Sequence, residues 1–242
     1  IEKGEVTFIY ANLEAIKQNK RLIEKNLNRC FLEEQPKNIK ESLEGKTALE
    51  IIPYLKDVDA MLDIHASFTS DSIPFVICDK KWTDIAKIFN TKLASYNWDP
   101  FEPGSTDYYM NLQTKPGFCY ECGYLGDEKT TEKAKEAIKQ FLIWAGCING
   151  KLEIKEKQKI IKISSIYKNF NTKFKKARYF PDFYKLSKKT LVGKEGDKSI
   201  YGSRGDILLF VRNCNTLGDE CFLTAREVRK ENIKNSKGDE IV

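Results

Sequence analysis

The chain has 242 residues, of which 41% are hydrophobic and 31% charged, with a formal net charge of +6. That length and apolar content support one large domain, or a large and a small one, around a real core, and exclude a disordered chain. No apolar run approaches the roughly 18 residues needed to span a bilayer, and the opening IEKGEVTFIYA has neither the basic start nor the small-residue cleavage site of a signal peptide.

In chain order, Thr7 to Ala11 reads as a strand and Leu13 to Ile23 as a helix. Ala60 to Ile64 is a short apolar run that empties into the polar stretch HASFTSDS, the pattern of a buried strand leading into a functional loop. Phe75 to Cys78 is a further strand. Trp82, Ile85, Ile88, Phe89, Leu93 and Tyr96 recur at helical spacing, which predicts a surface helix over 82–96. GFCYE, ending at Glu121, is strand-like. After it Ala134, Ala137, Ile138, Phe141, Leu142 and Ala145 predict the clearest helix, with Thr130 or Thr131 as N-cap and Gly146 at its stop.

Strands alternating with helices predict an α/β fold with a mainly parallel sheet. Beyond Gly150 the stretches KLEIKEKQKIIKIS, RGDILLFVR and ECFLTA have period two and are broken by glycines, which predicts a smaller all-β unit. The closing REVRKENIKNSKGDEIV reads as a polar tail. Between Lys151 and Ile200 there are fifteen basic and five acidic residues. These lysines alternate with apolar residues, as on the outer face of a half-exposed sheet. Seven cysteines without framework spacing read as reduced thiols of a cytoplasmic protein.

The chemistry concentrates in three short runs. In an open α/β sheet, functional side chains gather at the carboxyl ends of the strands, so His65 and Glu121 are expected to face one crevice. Asp63 shares a strand face with His65 and can orient its imidazole. A glutamate in an otherwise apolar run is costly to bury unless it has a role, and beside a metal-bound water that role is general base. Asn28 with Arg29 supplies an amide and a planar fork for a carboxylate, and Arg21 can help an oxyanion. Against a metal stands the count: His65 is the only histidine, while a catalytic zinc needs three protein ligands.

The order of these runs resembles the succinylglutamate desuccinylase and aspartoacylase family, a branch of the zinc carboxypeptidase clan. Asn12, Ala15, Arg21, Leu27, Asn28, Arg29, Asp63, His65, Glu121 and Gly123 stand at the family's motif positions. The family's proline is replaced by Leu13 and its aspartate by Asn26. The resemblance implies a carboxypeptidase-like α/β domain over 1–150, a β-rich barrel-like domain over 151–228 and a polar tail over 229–242. It implies a zinc-dependent amidohydrolase, with one zinc ion, that deacylates a small-molecule N-acyl amino acid. Glu121 would act as base then acid, Arg21 would hold the oxyanion, Asn28 and Arg29 would bind the carboxylate, and His65 would ligate the metal. The family's first two ligands lie in a histidine-x-x-glutamate run before the strand matching GEVTFIYA. That run has no counterpart here, which implies a member missing its N-terminal strand and metal loop, binding zinc weakly and inactive as the chain stands.

Two other readings compete. One is a metal-free binding or regulatory protein on the same fold. The other is a nucleic-acid-binding module over Lys151 to Lys198, where Tyr167, Phe170, Phe174, Tyr179 and Phe180 interleave with lysines as stacking partners. No membrane partner is expected. The CxxC of Cys119 and Cys122 lacks a second pair at zinc-ribbon spacing and reads as core thiols beside Glu121.

Overall fold

The structure, a computed structural model, describes residues 1–228; the polar tail expected at 229–242 lies outside the described residues. The helices are α1 (Leu13–Lys17), α2 (Lys37–Lys40), α3 (Leu43–Asp57), α4 (Thr106–Leu112) and α5 (Thr130–Trp144). The strands are β1 (Met61–Ser67), β2 (Phe75–Cys78), β3 (Leu93–Tyr96), β4 (Gly117–Tyr124), β5 (Lys159–Lys168), β6 (Phe174–Lys176), β7 (Tyr184–Lys185), β8 (Thr190–Glu195), β9 (Lys198–Gly202), β10 (Ile207–Leu209) and β11 (Glu220–Val228).

Eight strands form one sheet in the order β1-β4-β2-β3-β5-β11-β10-β7. In its first part β1/β4, β2/β3 and β3/β5 pair in parallel and only β4/β2 is antiparallel. This is the mainly parallel α/β sheet predicted from the alternating elements. β11, β10 and β7 continue it antiparallel, and β6, β8 and β9 form the smaller antiparallel sheet. The large sheet runs on across position 150, because β5 pairs with β3 on one side and β11 on the other.

Strand alternation decides where the chemistry points. Phe118, Tyr120 and Cys122 of β4 enter the core with Val76 and with Ala134, Ala137, Phe141 and Trp144 of α5. Phe118 meets the rings of Phe141 and Trp144 edge-on, with centroids 6.4 and 5.9 Å away. Cys119 and Glu121 therefore face the other side of the sheet. There α3 and α4 enclose a second core of Ala48, Ile51, Leu55, Tyr109 and Met110 with Cys30 and Phe31. That core anchors the segment carrying Asn28 and Arg29.

Three predicted elements are corrected. No strand forms over 7–11; Phe8 and Tyr10 are exposed there, and a strand needs a neighbour to receive its backbone groups. The helix from Leu13 ends at Lys17, with Asn19 in the left-handed region (φ 51°). The predicted helix over 82–96 is instead two 3-10 turns, Lys80–Trp82 and Ala86–Phe89, followed by β3. Asn90 (φ 52°) ends the second turn, and Leu93–Tyr96 is buried at every position between β2 and β5. A short apolar run fits helix and buried strand equally by spacing, and sheet pairing decides between them. The helix after β4 forms as α5, but neither threonine caps it. Lys129 is the N-cap, and Thr130 Oγ1 donates to the Tyr124 carbonyl at 2.5 Å.

Candidate active site

β1 and β4 run parallel in a register that sets Asp63 against Cys119 and His65 against Glu121. Four polar side chains thus share one sheet face. His65 Nε2–H donates to Asp63 Oδ2 at 3.0 Å, and Thr106 Oγ1 donates to the same oxygen at 2.6 Å. The Asn28 amide nitrogen lies 2.9 Å from His65 Nε2. On the opposite edge of the ring, Nδ1 lies 3.9 Å from Glu121 Oε1, and the Cys119 thiol stands within 4.8 Å of the imidazole and of Glu121. The two ring nitrogens are divided: one is oriented by Asp63 and the other is turned toward Glu121.

The electrostatics follow from burial and these pairs. Burial presses the His65 pKa down, but the Asp63 carboxylate and Cys119 together outweigh it and hold the imidazole well above its usual range. Burial pushes Asp63 up, yet the His65 charge and hydrogen bonds from His65, Thr106 and Asn28 keep it below the ordinary aspartate range. Glu121 is raised, by burial first and by Asp63 and Asp182, against the lowering charges of His65 and Arg21. A raised carboxyl moves toward neutrality, where a proton acceptor works best. Burial pushes the Cys119 thiol up to about 12.

Asp107, next to Thr106, is 3% exposed. Burial, with Asp99 and Asp63 beside it, raises its carboxyl to about 6. Its neutral form is the one the fold prefers, so the cost of ionising it appears as pH rises from the ordinary aspartate range and is complete above about 6. Asp107→Asn is therefore expected to gain roughly 2–3 kcal/mol of stability relative to wild type between pH 4 and pH 7. Thermal unfolding of both proteins across that window measures it; parallel curves would show that folding does not raise the Asp107 pKa.

The arginine segment is held from behind. Asn26 caps the turn Leu27–Arg29 by accepting from the Asn28 N–H at 3.2 Å. Glu44 of α3, fully buried, accepts from the N–H groups of Ile23 (2.6 Å) and Lys25 (2.9 Å) and from the Asn12 amide (3.2 Å). Asn28 reaches His65, as described. Arg29 donates to the Asn28 carbonyl at 2.6 Å and pairs with Glu102. Arg21 is exposed and reaches Glu121 through its charge. All the residues singled out from sequence therefore converge on one region, with Arg21 at its edge.

Sequence reading missed Cys119, Thr106, Glu44 and Glu102. Cys119 was legible, since it stands two residues before Glu121 on a strand. The others arrive from elements distant in the chain and carry no local signal.

A sequence model of the succinylglutamate desuccinylase/aspartoacylase catalytic domain matches residues 1–143. The chain belongs to this family. It is a family of deacylating hydrolases that act on N-acyl amino acids. Among solved structures the chain resembles a succinylglutamate desuccinylase from Vibrio cholerae (TM-score 0.77, 16% identity, 92% of this chain and 70% of that one). It also resembles a succinylglutamate desuccinylase from Vibrio parahaemolyticus (0.74, 15%, 92% and 71%). A third is the product-bound ectoine utilization protein EutE (DoeB) from Ruegeria pomeroyi (0.67, 17%, 89% and 73%). At these identities the likeness is one of fold. No curated protein sequence matches the chain.

The family implies a metal, and the donor chemistry accommodates one. Ligand atoms of His65, Cys119 and Glu121 all lie within 4.8 Å of one another. Bonds of about 2.0–2.3 Å around a tetrahedral zinc place neighbouring donors roughly 3–4 Å apart, so this nitrogen, sulfur and oxygen set has the right chemistry for one ion but must close in by about 1 Å to hold it.

Tyr167, Phe174 and Phe180 pack in the core of the C-terminal unit, and Tyr179 bonds to Asp71. A ring buried in a core offers no face for a base, so Phe174 and Phe180 cannot serve the expected stacking platform, whereas Phe170 and Tyr179 are exposed.

Proposed function

We propose that this chain is a zinc-dependent amidohydrolase that uses water to cleave the amide of an N-acyl amino acid. The observation that carries the reading is the Asp63–His65–Glu121 arrangement, with one imidazole nitrogen oriented by a carboxylate and the other facing a raised carboxyl. His65 would hold the ion through Nδ1. One zinc, when bound, supplies Lewis acidity and lowers the pKa of water.

The remaining roles belong to the chain. Asp63 fixes the imidazole ring and its tautomer. Glu121 takes a proton from water on a carboxylate oxygen and returns it to the nitrogen of the departing amine. Arg21 offsets charge developing on the carbonyl oxygen. Asn28 and Arg29 bind the carboxylate of the amino acid. Residues 1–150 would form the zinc-carboxypeptidase-like catalytic domain, and the barrel-like unit over 151–228 would wall one side of its site.

The test is release of free amine from a panel of N-acyl amino acids, lost on chelation and restored by zinc. Turnover that survives complete metal removal would overturn the reading, and binding of the same compounds without turnover at any zinc level would favour the metal-free binding protein. With Glu121 assigned as the base, His65 and the Cys119 thiol are the two donors of this set left for the ion, so zinc is expected to leave on dialysis. Stoichiometric zinc retained by the wild type and lost in His65→Ala would show that the three donors form a full ligand set.

A further inference from the structure

The guanidinium assigned to the substrate's carboxylate is already engaged. Arg29 Nη2 donates to Glu102 Oε2, with the two side chains 35% and 14% exposed. Glu102 lies in the turn after β3, where the N–H groups of Phe101 and Glu102 both donate to the Trp98 carbonyl at 2.9 Å. This turn is seated directly on Arg29. Gly104 has φ +93°, and a Cβ there would come within 2.8 Å of the Arg29 carbonyl, so a larger residue would push the turn away. The Phe31 N–H closes the contact by donating to the Gly104 carbonyl at 2.9 Å. A fixed loop therefore delivers the carboxylate.

A second carboxyl stands behind the first. Glu220, the first residue of β11, stands close enough to Glu102 for the two carboxyls to shift each other's pKa, and Lys168 and Arg212 complete the charged surroundings of the pair. The Glu220 backbone is itself pinned, its carbonyl accepting from Arg212 Nε at 2.7 Å.

A protein carboxylate on an arginine fork makes the contact that a substrate carboxylate would make. The geometry points to Glu102 as a specificity-determining residue: an internal ligand of Arg29 that the substrate's carboxylate must displace, and that Glu220 keeps at hand. The inference rests on the proposed carboxylate-binding role of Arg29 and changes what that role predicts. A bare buried guanidinium punishes a substrate lacking the carboxylate by about two orders of magnitude or more, because the charge is left unpaired. With Glu102 in place Arg29 is paired in either case. The wild type therefore discriminates acid from amide only weakly.

The experiment uses N-acetylglycine and N-acetylglycinamide, which differ only at the carboxylate. Calorimetric binding to wild type, Glu102→Gln, Glu102→Ala and the Arg29→Ala/Glu102→Gln double variant reads affinity without needing turnover. In Glu102→Gln and Glu102→Ala, affinity for the acid is expected to rise by about tenfold or more while that for the amide stays within about twofold, so discrimination widens. The double variant should bind both weakly and alike. Modification of Arg29 by phenylglyoxal, located by peptide mass, should be faster in Glu102→Gln than in wild type.

A role of Glu102 in merely propping Arg29 predicts the opposite sign, a loss of affinity for the acid. That loss, or binding with an unchanged acid-to-amide ratio, overturns the proposal alone. If no variant binds the acid although phenylglyoxal modification of Arg29 has quickened, the carboxylate-binding role of Arg29 falls and the proposal with it.

Discussion

Glu121→Gln in the zinc-loaded protein is expected to lower turnover by about 10²- to 10⁴-fold, the usual cost of losing a general base. Glutamine keeps the shape of the side chain and its packing on β4 but cannot accept and return a proton. Glu121 stands opposite His65 in the strand register, with its Oε1 3.9 Å from Nδ1, and burial raises its carboxyl. The loss should fall on kcat with KM nearly unchanged, since the proton moves only in the transition state. Zinc content, measured alongside, should not change if Glu121 is the base and His65 the ligand. A variant retaining more than a tenth of the wild-type rate would place the base elsewhere. A variant that loses both zinc and rate would make Glu121 a ligand instead.

Glu44→Gln is expected to destabilise the fold by about 3 kcal/mol or more. One carboxylate oxygen of Glu44 serves the Ile23 N–H and the Asn12 amide, and the other serves the N–H groups of Lys25 (2.9 Å) and Glu24 (3.2 Å). Glutamine turns one of these acceptors into a donor facing donors, leaving buried N–H groups unmet at roughly 1–3 kcal/mol each. For a chain of this size that corresponds to a fall in Tm of about 6–12 °C. The effect should reach the site, because residues 23–25 lead directly into Asn28 and Arg29. Burial pushes the Glu44 carboxyl up, but the Ile23 and Lys25 N–H groups and the Asn12 amide outweigh it and hold it below the ordinary range. Its stabilisation is therefore present above the ordinary glutamate pKa and lost as pH falls below it, so the gap between wild type and variant should narrow in acid. A loss below 1 kcal/mol at neutral pH would mean that water can replace the carboxylate.

Zinc retention on dialysis, the pH-dependent gain from Asp107→Asn and the acid-to-amide ratio in Glu102→Gln address the metal, the buried acid beside Thr106 and the carboxylate subsite separately. They concern groups on different elements, so the failure of one leaves the others standing.

Much of the site was legible because a strand carries its own geometry. Asp63 and His65, two residues apart on an apolar run, had to share a face, and Glu121 had to lie at the end of GFCYE. The same rule places Cys119 on that face too, but a cysteine in an apolar run also has an ordinary explanation as core. The long helix α5 was equally local, its apolar spacing needing no partner to be read. The helix proposed over 82–96 failed for the converse reason. Leu93–Tyr96 has no intrinsic period that separates a buried strand from a helix, and its pairing with β2 and β5 settled the matter.

By itself the sequence determined the fold class, the family and the residue types at the centre of the site, since these depend on spacing and on motifs contiguous in the chain. Only the tertiary structure decided that Glu102 occupies Arg29, that Glu44 holds the loop before Asn28, and that Thr106 backs Asp63. These contacts join residues 73, 20 or so, and 43 positions apart. A side chain's partner across such distances is fixed by how sheet and helices pack, through burial and hydrogen-bond satisfaction, and leaves no trace in the local order of residues.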